Sequence, residues 1–228
     1  MIRTATATRQ GTTATNNADR AAVFASENGT TAAAVVDLIG HHPNAPQVAF
    51  LLAETAARIA AQRGGPSGLL SAGLLVADAG ADDEPEPDGV AVVAVAEEPA
   101  RTVISWTGDS HAYGWDGQRL HRYTTPHTYG EQLRENGAPW EIAVQHDNWL
   151  TTMIGRAVPA SIFTAVSPDP LTILASDGLD CVPRERLVEI IRGHAADPQA
   201  LADALVAEPD VDAEGYRDDV TIVVLLNN

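Results

Sequence analysis

The sequence predicts a mixed α/β fold, of the α+β kind, dominated by antiparallel sheet. Two observations carry this. Short apolar runs with strand character recur along the 228 residues, each bounded by turn formers. They follow one another in hairpin order, while segments of helical period are inserted in groups. A hydrophobic content of 45% marks a globular chain, and one domain over residues 1–228 is expected.

The elements follow in order. "RTATATR" (3–9) and "RAAVFASE" (20–27) alternate weakly and predict two strands around a turn at Asn16–Asp19. "TAAAVVD" (31–37) predicts a buried strand ending in Asp37. "NAPQVAFLLAETAARIAAQR" (44–63) carries apolar residues at helical spacing and stops at Gly64–Gly65. "GLLSAGLLVAD" (68–78) and "GVAVVAVAEE" (89–98) are expected to be strands, joined by an exposed acidic hairpin loop, "DAGADDEPEPDG" (78–89). "RTVISWTGD" (101–109) is a strand ending in an acid, and "AYGWDGQRLHRYT" (112–124) a hairpin turning at Asp116–Gly117. "GEQLRENG" (130–137) is a short helix with a glycine stop. "SIFTAVS" (161–167) and "LTILASD" (171–177) are strands separated by Pro168 and Pro170. "PRERLVEIIRGH" (183–194) and "DPQALADALVAE" (197–208) are amphipathic helices opened by proline, and "DDVTIVVLL" (218–226) is a last strand.

A net charge of −17 argues against nucleic acid, whose phosphates need clustered basic residues, and suits divalent cations. No apolar run has the length of a membrane span, and the first residues lack the apolar core of a signal peptide. Cys181 is the only cysteine, so no internal disulfide forms, and the cytoplasm is the expected location. Cys181 reads as a small buried hydrophobe, and Trp106, Trp115, Trp140 and Trp149 as core or rim residues.

Four acids sit at the edges of apolar runs. Asp37, Asp109 and Asp177 end strands, and Asp218 starts one. In antiparallel neighbours, ends and starts meet at one sheet edge, so all four are expected to converge. Gathered carboxylates repel one another unless a cation neutralises them, and carboxylate with water is the ligand set of magnesium and manganese. Gly108-Asp109-Ser110 also raises the possibility of a serine nucleophile. That chemistry is expected to need a base, commonly an Asp-x-x-His, and no histidine here has an aspartate three residues before it.

The motifs, in order, resemble those of the metal-dependent protein phosphatases of type 2C, the PPM family. "VVDLIGHHPNAPQVA" resembles the family's Asp-Gly-x-Gly-Gly-His strand and following helix. "SWTGDSHAYGWDGQRLHRYTTPHT" resembles its Gly-Asp-Ser-Arg strand, Asp-Gly hairpin and Thr-x-Asp-His. "LASDGLD" and "YRDDVTIVVLL" resemble its Ser-Asp-Gly-Leu element and closing Asp-Asn-Ile-Thr strand, and "GTTATNNADR" falls where it has Gly-x-x-Arg-x-x-Asn-Glu-Asp. The resemblance implies a four-layer αββα sandwich, two antiparallel sheets flanked by helix pairs, with magnesium or manganese at one sheet edge. In the family two such ions activate a water for in-line attack on phosphorus. It implies Asp37 as bridging ligand, Asp177 and Asp218 as completing the first metal site, Leu38 as a carbonyl ligand, and Asp109 at a weaker third site. His42 is implied as proton donor to the leaving oxygen.

Several positions depart from the pattern. Ala18 stands where the family has the second-metal glutamate, and Ala14 where it has the phosphate-gripping arginine. Leu38 and His41 replace glycines, His111 replaces the arginine of Gly-Asp-Ser-Arg, Pro126 replaces the acid before His127, and Cys181 replaces an aspartate. Asp19 is expected to reach the second metal instead, through water, and Arg9 or Arg20 to stand in for the lost arginine. The expectation is a phosphatase of phosphoserine and phosphothreonine proteins with one metal site retained and turnover impaired. The alternative is an inactive pseudophosphatase that binds a protein or phosphoprotein partner. Neither nucleic acid nor a membrane is expected as partner.

Overall fold

The structure, a computed structural model, describes residues 2–12, 15–40, 43–77, 87–97 and 101–227. Ten strands form two five-stranded antiparallel sheets. One has the order β1-β10-β9-β6-β7, built from Ile2–Arg9, Val220–Asn227, Leu171–Ala175, His111–Trp115 and Leu120–Arg122. The other has the order β2-β3-β4-β5-β8, from Asp19–Ala25, Thr31–Leu38, Gly89–Glu97, Arg101–Thr107 and Phe163–Ser167. Helices α1 (Ala45–Arg63) and α2 (Gly65–Gly73) cover the second sheet, and α5 (Arg184–His194) and α6 (Pro198–Ala207) cover the first. Short helices α3 (Tyr129–Glu135) and α4 (Trp140–Ala143) follow β7. The result is the four-layer sandwich that the resemblance implies.

Strand parity builds the layers, because successive side chains point to opposite faces. On β3, Ala32, Ala34 and Val36 pack against α1, while Ala33 and Val35 face the other sheet. On β10, Val223 and Leu225 face inward, and Val220, Ile222 and Val224 pack toward α5 and α6. Both are interior strands, apolar on both faces because each is covered twice.

Two expectations about the fold are corrected. Residues 68–73, expected to begin a strand, belong to helix α2. The run "GLLSAGLL" is apolar throughout, so its period does not separate helix from strand. The decisive feature is a close approach: a Cβ on Gly68 would lie 2.4 Å from the Ala56 carbonyl oxygen, so α2 packs backbone-near against α1. The remainder of the expected acidic loop, residues 78–86, lies outside the described residues. The strands at 2–9 and 19–25 both form, but not as a pair around a turn. β1 pairs with β10 and β2 with β3, so the two strands lie in different sheets. The Asp219 carboxylate accepts from Gly11 N at 2.6 Å and Ala18 N at 2.7 Å.

Candidate metal centre

The parity that builds the core also builds the site. Asp37 has the parity of Ala33 and Val35, Asp19 that of Ala21 and Val23, and Ser176 that of Leu174. Asp219 and Thr221 have that of Val223. All five therefore point between the sheets, at one end of the sandwich. Asp19 and Asp37 are direct partners in the β2–β3 register. Across the gap, Ser176 Oγ donates to Asp19 Oδ2 at 2.6 Å and accepts from Thr221 N at 2.9 Å.

Two glycines let the rim close. Gly108 has φ +95°, and a Cβ there would strike Val90, so the chain turns sharply after β5 and delivers Asp109. His127 secures this turn, with Nδ1 accepting from Gly108 N at 3.2 Å and its own N donating to Gly108 O at 2.9 Å. Gly178 allows the one-turn helix Asp177–Leu179 to approach the start of β10, where a Cβ would lie 2.1 Å from Asp219 O.

The outcome is a pocket of about 330 Å³ whose wall includes Asp37, Leu38, Asp109, Asp177 and Asp218. Of the six residues proposed for metal, the structure thus brings five to one cavity. The sixth, Asp19, is 1% exposed and stands behind the wall, bonded to Ser176. His42, with His41 and Ala14, lies outside the described residues. Ala18, 9% exposed, is on the pocket wall.

The acids load this pocket electrostatically. Burial, then the charges of Asp19, Asp177, Asp109 and Asp218, pushes Asp37 well above the ordinary carboxylate range. Burial, then Asp109, Asp218 and Asp19, does the same to Asp177. Asp109 rises to about 6 and Asp19 to about 7, burial being the main cause in each. Asp19, the register partner of Asp37, and Asp177 each lie close enough to Asp37 for their charge to raise it. Two carboxylates in that relation need a proton or a cation between them. Among the described residues no group of three or more His, Cys, Asp or Glu side chains is closed around a point to hold an ion. A hard cation, however, takes carboxylate and carbonyl oxygens completed by water, and the pocket wall carries five aspartates. By donor type the pocket wall therefore suits a divalent ion, with Asp37, Asp177 and Asp218 among its carboxylates.

A second pocket, a groove of about 970 Å³, opens beside the first and shares Asp109, Asp177, Tyr216, Arg217 and Asp218 with it. His111 sits buried at its side. Its Nδ1 accepts from Arg122 Nη2 at 2.7 Å, so its Nε2–H donates to Asp180 Oδ1 at 2.6 Å, and burial lowers its pKa. Cys181 is exposed on this groove, correcting the expectation of a buried hydrophobe, because the turn after Asp177 carries it outward. Trp106 and Trp115 are core residues; Trp140 and Trp149 are 63% and 60% exposed. Ser110 is 1% exposed, which leaves no room for it as a nucleophile. Sequence reasoning missed Ser176, Asp219, Tyr216 and Arg217; the strand parity of Ser176 and Asp219 was the available signal.

No family model matches the sequence, and no curated protein matches it significantly. Solved structures do. The serine/threonine phosphatase Stp1 from Staphylococcus aureus superposes with a TM-score of 0.82 at 17% identity, over 99% of this chain and 95% of its own. The PPM Ser-Thr phosphatase MsPP from Mycobacterium smegmatis, in complex with cacodylate, gives 0.74 at 25% identity, over 99% and 98%. The catalytic domain of the serine/threonine phosphatase PstP, in complex with two manganese ions, gives 0.72 at 20% identity, over 99% and 97%. This chain has the PPM-type phosphatase fold. No helix among the described residues is long and apolar enough to cross a membrane.

Proposed function

We propose that this chain is a divalent-metal-dependent phosphomonoesterase of phosphoserine and phosphothreonine proteins, with turnover reduced by the side chains it lacks. The observation that carries the reading is the crowding of Asp37 by Asp19, Asp109, Asp177 and Asp218 at one pocket, with no ion pair to Asp19, Asp37 or Asp177 among the described residues. Asp37, Asp177 and Asp218 would hold a divalent ion, which would supply charge neutralisation and acidify a water for attack on phosphorus. The chain's own residues do the rest. Ser176 holds Asp19, which fixes the orientation of its register partner Asp37. Asp219 draws Gly11 and Ala18 onto the rim and so shapes the pocket wall. The groove beside the pocket offers a phosphoprotein segment room to lie.

The pseudophosphatase reading draws on Ala18, whose methyl group supplies no ligand at the pocket wall. Hydrolysis of p-nitrophenyl phosphate and of a phosphopeptide, at millimolar manganese, separates the two. Turnover abolished by Asp218→Asn supports the enzyme; manganese binding by calorimetry with no turnover supports the binding module. Ala18→Glu combined with Ala14→Arg is expected to raise activity, and a folded double variant with unchanged turnover would place the deficit elsewhere, at Leu38.

A further inference from the structure

Gripping a phosphoryl group takes positive charge on the wall of the pocket that receives it. The two arginines that the sequence puts forward are committed elsewhere. Arg9 Nη1 donates to the carbonyls of Val206, Ala207 and Pro209 at 3.3, 3.0 and 3.0 Å, closing the end of α6. Arg20 Nη1 donates to the carbonyls of Asn17 and Asp19 at 3.0 and 2.6 Å.

Arg217 is placed differently. Among the described residues it is the one basic side chain on the wall of the acid-lined pocket, and it lines the adjoining groove as well. Its backbone is pinned on both sides: Thr12 N donates to Arg217 O at 2.9 Å, and Arg217 N donates to Thr12 Oγ1 at 2.9 Å. Its Nη2 donates to Gln10 O at 2.8 Å. Its Nε is buried without a hydrogen-bond partner. Although acids surround it, no ion pair joins it to any of them among the described residues. A guanidinium with five donors, held by its backbone and using few of them internally, is ready to receive an anion.

We propose that Arg217 is the phosphate-binding arginine of this chain, supplied from the segment before β10 in place of the side chain missing at Ala14. The inference rests on the phosphatase reading, because the pocket that Arg217 shares with Asp37, Asp177 and Asp218 is the one a phosphoryl group enters on that reading. The planar fork matches two phosphoryl oxygens, while the Gln10 contact sets the plane of the guanidinium. The competing role is that of a clamp between residues 10–12 and 215–217, which predicts lost stability and unchanged anion binding.

Calorimetric titration of the full chain with inorganic phosphate distinguishes the two roles. Wild type, Arg217→Met and Arg217→Lys are titrated with and without manganese, and each is first titrated with manganese alone and melted. Phosphate affinity is expected to fall about 10- to 100-fold in Arg217→Met, the scale of a lost charged hydrogen bond, with manganese affinity unchanged. Arg217→Lys keeps the charge without the fork and falls between. Unchanged phosphate affinity in Arg217→Met, or a wild type that binds manganese but no phosphate, overturns the proposal. If Arg217→Met does not fold, Arg217→Lys decides: weakened phosphate binding at an unchanged melting temperature supports the proposal, and equal affinity overturns it. A wild type that binds no manganese defeats the phosphatase reading separately, and the metal-free phosphate titration then decides Arg217 alone.

Discussion

Strand β9 has an aspartate just beyond each end, and the two are opposites. Asp169, two residues before the strand, is 5% exposed, and its Oδ2 accepts from the Tyr123 hydroxyl at 2.8 Å and lies 3.1 Å from His121 Nδ1. Asp177, two residues after it, meets mainly other acids and is pushed far up by burial and by their charge. The same residue type on the same strand is thus satisfied by donors at one end and left to a proton or a cation at the other. A buried acid with donors is part of the scaffold; one among acids stores unfavourable charge that a ligand relieves.

Neutralising the aspartate at either end is expected to have the largest effects, of opposite kinds. Asp177→Asn is expected to lower manganese affinity and any hydrolysis by at least about 100-fold, since even outer-shell partners cost roughly 10- to 100-fold. In chelator at pH 8 the same variant is expected to melt no lower than wild type, because it removes one of the repelling charges. Asp169→Ala should do the reverse. It is expected to lose about 1–3 kcal/mol of stability, by denaturant unfolding, through the donors it strands, and to keep manganese affinity.

The pH dependence of the metal-free protein sharpens the contrast. Asp19 at about 7 and Asp109 at about 6 hold protons in the folded chain above the ordinary value of 3.8. The folded state therefore binds more protons than the unfolded state between those values, and stability falls as pH rises through that window. In chelator, the melting temperature is expected to decline from pH 5 to pH 8. Manganese should lessen the decline, since a cation beside Asp37 offsets the negative charge that gathers as these acids ionise. A flat chelator profile would mean that the acids do not crowd as described. The smallest effect belongs to the scaffold end: Tyr123→Phe is expected to cost about 1 kcal/mol, with the pH profile unchanged.

The arrangement of Asp37, Asp109, Asp177 and Asp218 was legible because antiparallel pairing forces strand ends and starts to one rim. Less was legible where backbone approach decides. Residues 68–73 read as strand because an all-apolar run has no face, and Gly68 packing on Ala56 made them helix. Cys181 read as buried because its exposure depends on the turn after Asp177. Arg217 had no signal in its own neighbourhood. Its place at the pocket is held by hydrogen bonds to Gln10 and Thr12, more than 200 residues away in the chain.

By itself the sequence determined most of the strands, their alternation and the acids at their ends, because those follow from side-chain period and hydrophobicity within a few residues. Only the tertiary structure decided which sheet each strand joins, which acids crowd Asp37, and which arginine stands on the pocket wall. These depend on contacts between distant segments, whose geometry no local pattern encodes.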